Sequence, residues 1–420
     1  YPIKQTVALT SEANIPGGWH DNDIRLHSYE ECLRNPRLQA ENFKHVEEES
    51  NRLQPQRMIQ RTADRYVVVQ PPYPPLTTEQ IDRSFDLPYT RLPHPKYKGK
   101  RIPAYEMIKF SVNLHRGCFG GCAFCTISAH QGKFIVSRSK RSILEEVEKI
   151  CQMPDFKGYL SDIGAPSANM YQMRGRDRSL CAKCRRPSCL HPKMCPNLDN
   201  NHQPLLALYE KIRAVKGVKK AFIGSGIRYD LFDDSPYLET VVKHHTSGRL
   251  KVAPEHCTDH ALSMMGKPPI AVYEAFREKY FGLCREAGLD QYLVPYLMSS
   301  HPGSRLEDAI ELALMLKARH LAPEQVQDFY PTPGTISTAM FYTELDPYTL
   351  EPVYVPKSER EKSMQRALLQ YFIPEGHNAW MGDVATYWFG GRYHIFYLYD
   401  RRGHRSKLGR GGHYFEHLST

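Results

Sequence analysis

From about Tyr105 onward the chain alternates short apolar runs with amphipathic stretches of helical period, and that order admits few folds. "EMIKFSVNL" is strand-like and ends on a cysteine-rich loop. "FKGYLSDIG", "KKAFIGSGI", "RLKVAPEH", "QYLVPYLMSS" and "EQVQDFYP" follow as five more strands. Helical segments lie between them. In "SILEEVEKIC", Ile143, Val147 and Ile150 share one face, and Ser142 with Glu145 has the spacing of a capping box. "PLLALYEKIRAV" is a second helix, and "SRLEDAIELALMLKARH" a third, with Ser304 and Glu307 in capping register. Six strands with crossover helices predict an α/β fold built as a partial parallel (β/α)6 barrel. In such a barrel the functional residues sit at the C-terminal ends of the strands.

Residues 1–104 differ: they are polar and rich in proline. Consecutive prolines in "QPPYPPLTTEQIDRSF" exclude regular helix there. This region is expected to be an irregular, wrapping extension with one or two helices, for instance over Gln39–Leu53. The barrel core is assigned to 105–345 with a cysteine-rich insert at 172–200, a helical segment to 346–376, and a β-rich tail to 377–420. No run of about 18 apolar residues is present, so no membrane helix is expected. The chain opens without a charged leader and apolar stretch, and without Met, which suits a fragment with no signal peptide. The formal charge of +10 would suit an anionic partner such as RNA or a phosphorylated substrate, although a solvated surface satisfies it equally.

Seven of the eleven cysteines fall in two tight groups. In a chain without an export signal, such groups read as metal ligands and imply a reducing cytoplasm. "RGCFGGCAFC" places Cys118, Cys122 and Cys125 at spacings of four and three. A structural zinc site takes four protein ligands. Iron–sulfur cubanes usually take four cysteines. Three cysteines hold three corners of a cubane and leave one iron for an external chelator. Gly117, Gly120 and Gly121 suit a tight loop passing close to such a cluster, and Phe124 can shield it. The competing reading is a zinc site completed by His115 or His130.

The three-cysteine pattern resembles the signature of the radical S-adenosylmethionine (radical SAM) superfamily. The stretches "RGCFGGCAFCTISAHQGKFIVSRS", "DFKGYLSDIGAPSANMY", "LKVAPEH", "MGKP", "QYLVPYLMSSHPGS" and "PEQVQDFYPTPGT" narrow the likeness to its YgiQ family, over about residues 1–375. The resemblance implies a partial barrel of radical SAM type and a 4Fe–4S cluster on Cys118, Cys122 and Cys125. S-adenosyl-L-methionine would chelate the fourth iron through its amino and carboxylate groups, and cleavage of its sulfonium would give a 5'-deoxyadenosyl radical. An electron donor such as flavodoxin or ferredoxin is implied as partner. The resemblance supplies no substrate; RNA, a protein side chain and a small metabolite stay open. Family members also carry an N-terminal domain that this sequence is expected to lack.

Further residues at successive strand ends are candidates for holding the cofactor. They are Gly164 in "SDIGAP", Ser225 and Arg228 in "GSGIR", and Glu255 in "VAPEH"; Arg138 and His130, shortly after the cysteine loop, are within reach of it. "SSHPGS" (Ser299–Ser304) ends the fifth strand, and Lys267 in "MMGKPP" is a candidate for reaching substrate. The second group, "CAKCRRPSCLHPKMC", holds Cys181, Cys184, Cys189 and Cys195. Four thiols can close a complete shell around zinc or around a second iron–sulfur cluster. Cys32, Cys151, Cys257 and Cys284 read as buried apolar residues, and His244–His245 as a surface pair.

The tail "WMGDVATYWFGGRYHIFYLYDRRGHRSKLGRGGHYFEHLST" resembles the opening strands of five-bladed propeller glycosidases, with Asp383 at the place of their nucleophile. A glycosidase needs two carboxylates, and one blade cannot bury its own faces, so a vestigial tail without hydrolase activity is expected. Two readings of the whole chain compete with a plain radical SAM enzyme. One is a zinc-dependent nucleic-acid-binding module without catalysis. The other is a methylthiotransferase-like modification of RNA or protein, which needs the second cluster.

Overall fold

The computed structural model describes residues 2–232, 236–321, 323 and 325–370, together with the backbone of three strands beyond them. The N-terminal region has its own small sheet, which the expectation of a wrapping extension did not include. Strands β1 (Val7–Thr10), β2 (Ile24–Leu26), β3 (Met58–Thr62) and β4 (Arg65–Val69) are ordered β1-β4-β3-β2. β3 and β4 form a hairpin around Ala63–Asp64. Ile15, Ile59 and Val68 are buried behind it. The helix Pro36–Ser50 follows the expected one, entered through Asn35 as cap and Pro36 at the first position.

The strand expected to start at Glu106 starts only at Ser111. Pro103 instead opens a helix, Pro103–Ile108, because its fixed φ suits a first helical turn. The strands that follow are β5 (Ser111–Asn113), a two-residue pair β6 (His115–Arg116) and β7 (Val136–Ser137), β8 (Tyr159–Leu160) and β9 (Asp162–Gly164). In the cysteine-rich insert come β10 (Arg174–Gly175) and β11 (Leu198–Asp199). They are followed by β12 (Lys220–Ala221), β13 (Arg249–Glu255), β14 (Tyr292–Ser299) and β15 (Gln325–Asp328).

The parallel pairings run in chain order. β5 lies beside β9, β8 beside β12, β13 beside β14, and β14 beside β15. A parallel bridge, Ile227 to Val252, joins the third of these positions to the fourth. Each expected strand therefore exists, in parallel with its successor, and several are shorter than their apolar runs. The main core is packed by Ile143, Val147 and Ile150 on one helix and Leu205, Leu208 and Ile212 on the next. On the first of these helices this is the face predicted from the 3.6-residue period.

Two caps lie elsewhere than expected. Ser139, not Ser142, caps the helix Lys140–Cys151, and Ser142 is buried inside it. The helix Leu306–Ala318 starts at Arg305, whose N–H donates to Asp308 at 2.8 Å, while Ser304 turns inward to Gln365. His245 is no surface residue. It is fully buried against Tyr209, and its Nδ1 pairs with the Ala221 carbonyl at 2.7 Å. Cys32 and Cys284 are buried as expected, whereas Cys151 and Cys257 are half-buried.

In the tail, β16 (Met381–Phe389), β17 (Arg392–Tyr399) and β18 (Tyr414–Ser419) make an antiparallel sheet in chain order. Asp383 falls within β16, but its side chain lies outside the described residues, as do residues 401–413 with their basic string. Among the described residues no helix is long and apolar enough to cross a membrane.

Candidate iron–sulfur site and its neighbours

The first cysteine loop is an excursion clamped at its base. β6 and β7 pair antiparallel, His115 with Ser137 and Arg116 with Val136, so residues 117–135 leave and return at one point. Gly117 has φ +87°, and a Cβ there would stand 2.4 Å from the Phe134 carbonyl oxygen. Only glycine permits that crossing. Within the loop the Cys118 N–H donates to Gly132 O at 3.1 Å, and the Cys125 N–H to Cys122 O at 3.0 Å. The latter turn brings the second and third cysteines together.

Two other segments hold the loop from outside. On one side the Ala123 N–H donates to Met265 O at 2.9 Å, and Gly266 lies so close that a Cβ on it would meet Gly121 O at 2.9 Å. On the other, the cysteine-rich insert lies directly against the loop. Ser188 Oγ donates to Gly120 O at 2.7 Å, and the Cys189 N–H to Phe119 O at 3.0 Å.

The three thiols are half-buried and share one electrostatic neighbourhood. Burial, then the charge of Cys122, raises the pKa of Cys118 and pushes Cys125 up to about 12. Metal-free, Cys118 and Cys125 therefore resist ionising, and a bound cation is what would make them thiolates. Arg228 supplies part of the compensation. It is buried, and one guanidinium nitrogen donates to Cys122 Sγ at 3.1 Å. The rest of the guanidinium is bound by Asp230 at 2.8 and 2.6 Å. Asn169 grips the Arg228 backbone, accepting from its N–H at 2.8 Å and donating to its carbonyl at 2.9 Å.

Sequence reasoning missed Asp230 and Asn169. The spacing of two residues from Arg228 was a usable sign for Asp230, whereas Asn169 is 59 residues away and gave none. Glu255 is also buried, at φ +68°, with Lys267 Nζ 3.9 Å away. Burial raises its carboxyl pKa, while Lys267 and Arg228 pull it back. Lys267 itself is 4% exposed and acts on the thiols Cys118 and Cys125.

Gly164 and Ser225 form a brace. Ser225 Oγ donates to both Asp162 carboxylate oxygens, at 2.9 and 2.7 Å, and the Gly224 and Ser225 N–H groups donate to the same carboxylate. A Cβ on Gly164 would fall 1.8 Å from Ser225 Oγ, so only glycine lets this contact form. The Gly164 carbonyl is already taken by the Leu114 N–H at 2.8 Å. Asp162, which lies inside "SDIGAP" beside the Gly164 singled out there, is the organising group.

Arg138, expected to approach a cofactor, is held by partners of its own. Its guanidinium is fully buried and donates to Asn113 O, to Ser142 O and Oγ, and to Glu146, while Phe85 covers its face at 4.2 Å. No donor is left over. His130 is exposed on the short helix Ile127–Gln131.

His115, a zinc ligand in the competing reading, is fully buried. Its Nε2 pairs with Ser167 O at 3.1 Å and its Nδ1 faces Arg116 O at 3.4 Å. Among the described residues no three His, Cys, Asp or Glu side chains close around a single metal ion. Ligands on three corners of a cubane stand wider apart than ligands on one ion. Three loop thiols, a glycine cradle and a buried cation at the second sulfur are a donor set that fits such a cluster.

Comparison with known proteins gives the loop its context. The chain is 57% identical over 365 residues to a UPF0313 protein of Bacteroides thetaiotaomicron, covering 84% of this chain and 59% of that one. It is 53% identical over 384 residues to one from Porphyromonas gingivalis, covering 89% and 60%. The likeness to the UPF0313 protein YgiQ of Escherichia coli is 44% over 381 residues, covering 89% and 52%. The matched part of this chain belongs to the UPF0313 family, with YgiQ.

The chain spans roughly three fifths of the length of the first of these UPF0313 relatives. Residues 2–111 match the family model described as Radical SAM N-terminal, which covers the stretch assigned as the N-terminal extension. Residues 324–380 match a domain of unknown function, DUF3362, which ends close to where the motif resemblance stops. Two solved structures of TsrM, a radical S-adenosylmethionine methyltransferase from Kitasatospora setae, are more distant. They share 14% and 15% identity, with TM-scores of 0.33 and 0.39, over 50% and 63% of this chain and 34% and 45% of theirs. Likeness that slight carries no weight for fold or reaction.

Proposed function

We propose that this chain is the core of a radical SAM enzyme whose parallel strands form a partial (β/α)6 barrel. Cys118, Cys122 and Cys125 would hold a 4Fe–4S cluster at the C-terminal end of its first strand. The observation that carries the reading is the clamped loop itself: three mutually interacting thiols, a glycine crossing at its base, and the Arg228 guanidinium on one sulfur. The Radical SAM N-terminal match and the UPF0313 likeness support it.

When bound, the cluster and S-adenosylmethionine supply reductive cleavage of a sulfonium and a 5'-deoxyadenosyl radical. The chain's own residues position and shield. Arg228, locked by Asp230 and Asn169, lowers the cost of negative charge on Cys122. Phe124 packs among Met265, Met298 and Phe329 and meets His301 edge-on at 5.9 Å, which keeps water from that side of the loop. The Asp162–Ser225–Gly164 brace fixes the ends of the second and third strands relative to each other, and thus the floor on which a cofactor would lie. Glu255 and Lys267, a buried charged pair 3.9 Å apart, would meet a hydroxyl- or carboxylate-bearing ligand there. The electron donor and the substrate are not specified by these residues.

The test is anaerobic purification followed by incubation with dithionite and S-adenosylmethionine. Brown protein that releases 5'-deoxyadenosine, with the release abolished in Cys118→Ala, is the expected result. Colourless protein holding zinc on these cysteines would overturn the reading in favour of the binding module.

A further inference from the structure

The cysteine-rich insert folds into a pocket with its own donor set. The short helix Arg178–Lys183 carries Cys181, and Cys184 caps its end, with the Cys184 N–H donating to Cys181 O at 3.2 Å. The Cys195 N–H donates to Cys189 O at 2.7 Å, which closes the second pair in the same way. The β10–β11 ribbon backs the first pair. A Cβ on Gly175 would stand 2.3 Å from Cys181 Sγ, and Asn197 Nδ2 lies 3.4 Å from that sulfur.

Cys181, Cys189 and Cys195 line one cavity of about 360 Å³. Each of the four thiols is free of disulfide bonding. Cys184 does not line the cavity itself and is held next to Cys181 by the turn between them. Lys133 lines the same cavity. It is 2% exposed, its ammonium donates to the Arg186 carbonyl, and its charge acts on both Cys181 and Cys189.

We propose that Cys181, Cys184, Cys189 and Cys195 bind a second iron–sulfur cluster in this cavity. Four sulfur donors complete its coordination from protein alone, so no iron there is left open for a substrate or for S-adenosylmethionine. A cluster suits the cavity better than one zinc ion. Zinc needs its sulfurs at about 2.3 Å from one centre, whereas among the described residues no three such side chains converge on one ion. The buried ammonium of Lys133 balances part of the negative charge that four thiolates bring. This second site stands apart from the loop's proposed chemistry: its ligands come wholly from the insert. Its loading nonetheless touches the first loop, because Ser188 and Cys189 form the wall behind Phe119 and Gly120.

The test measures iron, sulfide and zinc per chain after anaerobic reconstitution with iron and sulfide. The full chain is compared with C118A/C122A/C125A and with C181A/C184A. About eight irons are expected in the unmodified chain and about four in each variant, in line with one cubane per cysteine group. The first variant stays brown and, once reduced, gives a paramagnetic resonance signal from the insert alone. Saturation of the unmodified chain at about four irons, all lost from the first variant, overturns the proposal. So does one zinc per chain that disappears in C181A/C184A. The unmodified chain decides between these outcomes even where a variant does not fold. Iron retained in the first variant supports the second site whether or not the chain cleaves S-adenosylmethionine, so the two ideas fail separately.

Discussion

Gly121→Ala tests whether the insert presses on the cysteine loop. Gly121 sits at φ +60°, where an L side chain costs roughly 1–2 kcal/mol. Its new Cβ would stand 2.6 Å from Ser188 Cβ and 2.8 Å from both Pro187 O and Ser188 Cα. Two of those three are main-chain atoms, which cannot swing aside as a side chain can. The insert must retreat, at about 1–3 kcal/mol for overpacking. The Ser188–Gly120 hydrogen bond stretches with it, for about 1 kcal/mol more. The total is about 3–6 kcal/mol. Gly288→Ala is the control. Gly288 has φ +64° with nothing within 4 Å of the position its new methyl would take, so it bears the conformational cost alone. Urea unfolding of both variants should show Gly121→Ala less stable than Gly288→Ala by about 2–4 kcal/mol. Equal losses would mean that the insert and the loop are not in contact.

Arg138→Met should destabilise the fold by about 1–3 kcal/mol, since the half-buried Glu146 carboxylate loses one of its two arginine partners, Arg91 being the other. Production of 5'-deoxyadenosine per folded molecule should not change, and a selective loss of S-adenosylmethionine affinity would restore Arg138 to the cofactor site. Glu47 is a pH probe. Burial pushes its carboxyl up to about 7, although Asn51 and Lys133 pull it down. Between the ordinary carboxylate pKa and 7 the folded state holds the extra proton, so stability is greatest at low pH in that window and falls as pH rises through it. Glu47→Gln should therefore flatten the stability profile between about pH 5 and 8 and gain about 1–3 kcal/mol at the upper end; an unchanged slope would remove Glu47 as its source.

The loop and the strand order were legible in the sequence because both are local signals. Cys118, Cys122 and Cys125 lie within eight residues, and the apolar runs show their period directly. Pairings across distance were hidden. Ser225 and Arg228 looked like free ligand-binding groups, yet Asp162 holds the first from 63 residues away and Asn169 the second from 59. The N-terminal sheet was overlooked although "MIQRT" and "RYVVV" carry strand composition, since the neighbouring prolines drew attention to irregular structure.

The glycine contact between Gly266 and Gly121 has a practical corollary for peptide chemistry. The walls of the decapeptide Arg116–Cys125 are contributed by the main chain of Met265–Gly266 and by Pro187–Ser188 with the Ser188 side chain, remote stretches of the polypeptide. A synthetic copy of the decapeptide would carry every sulfur and none of its mould, so grafting this nest into another scaffold requires transplanting three separated strips together.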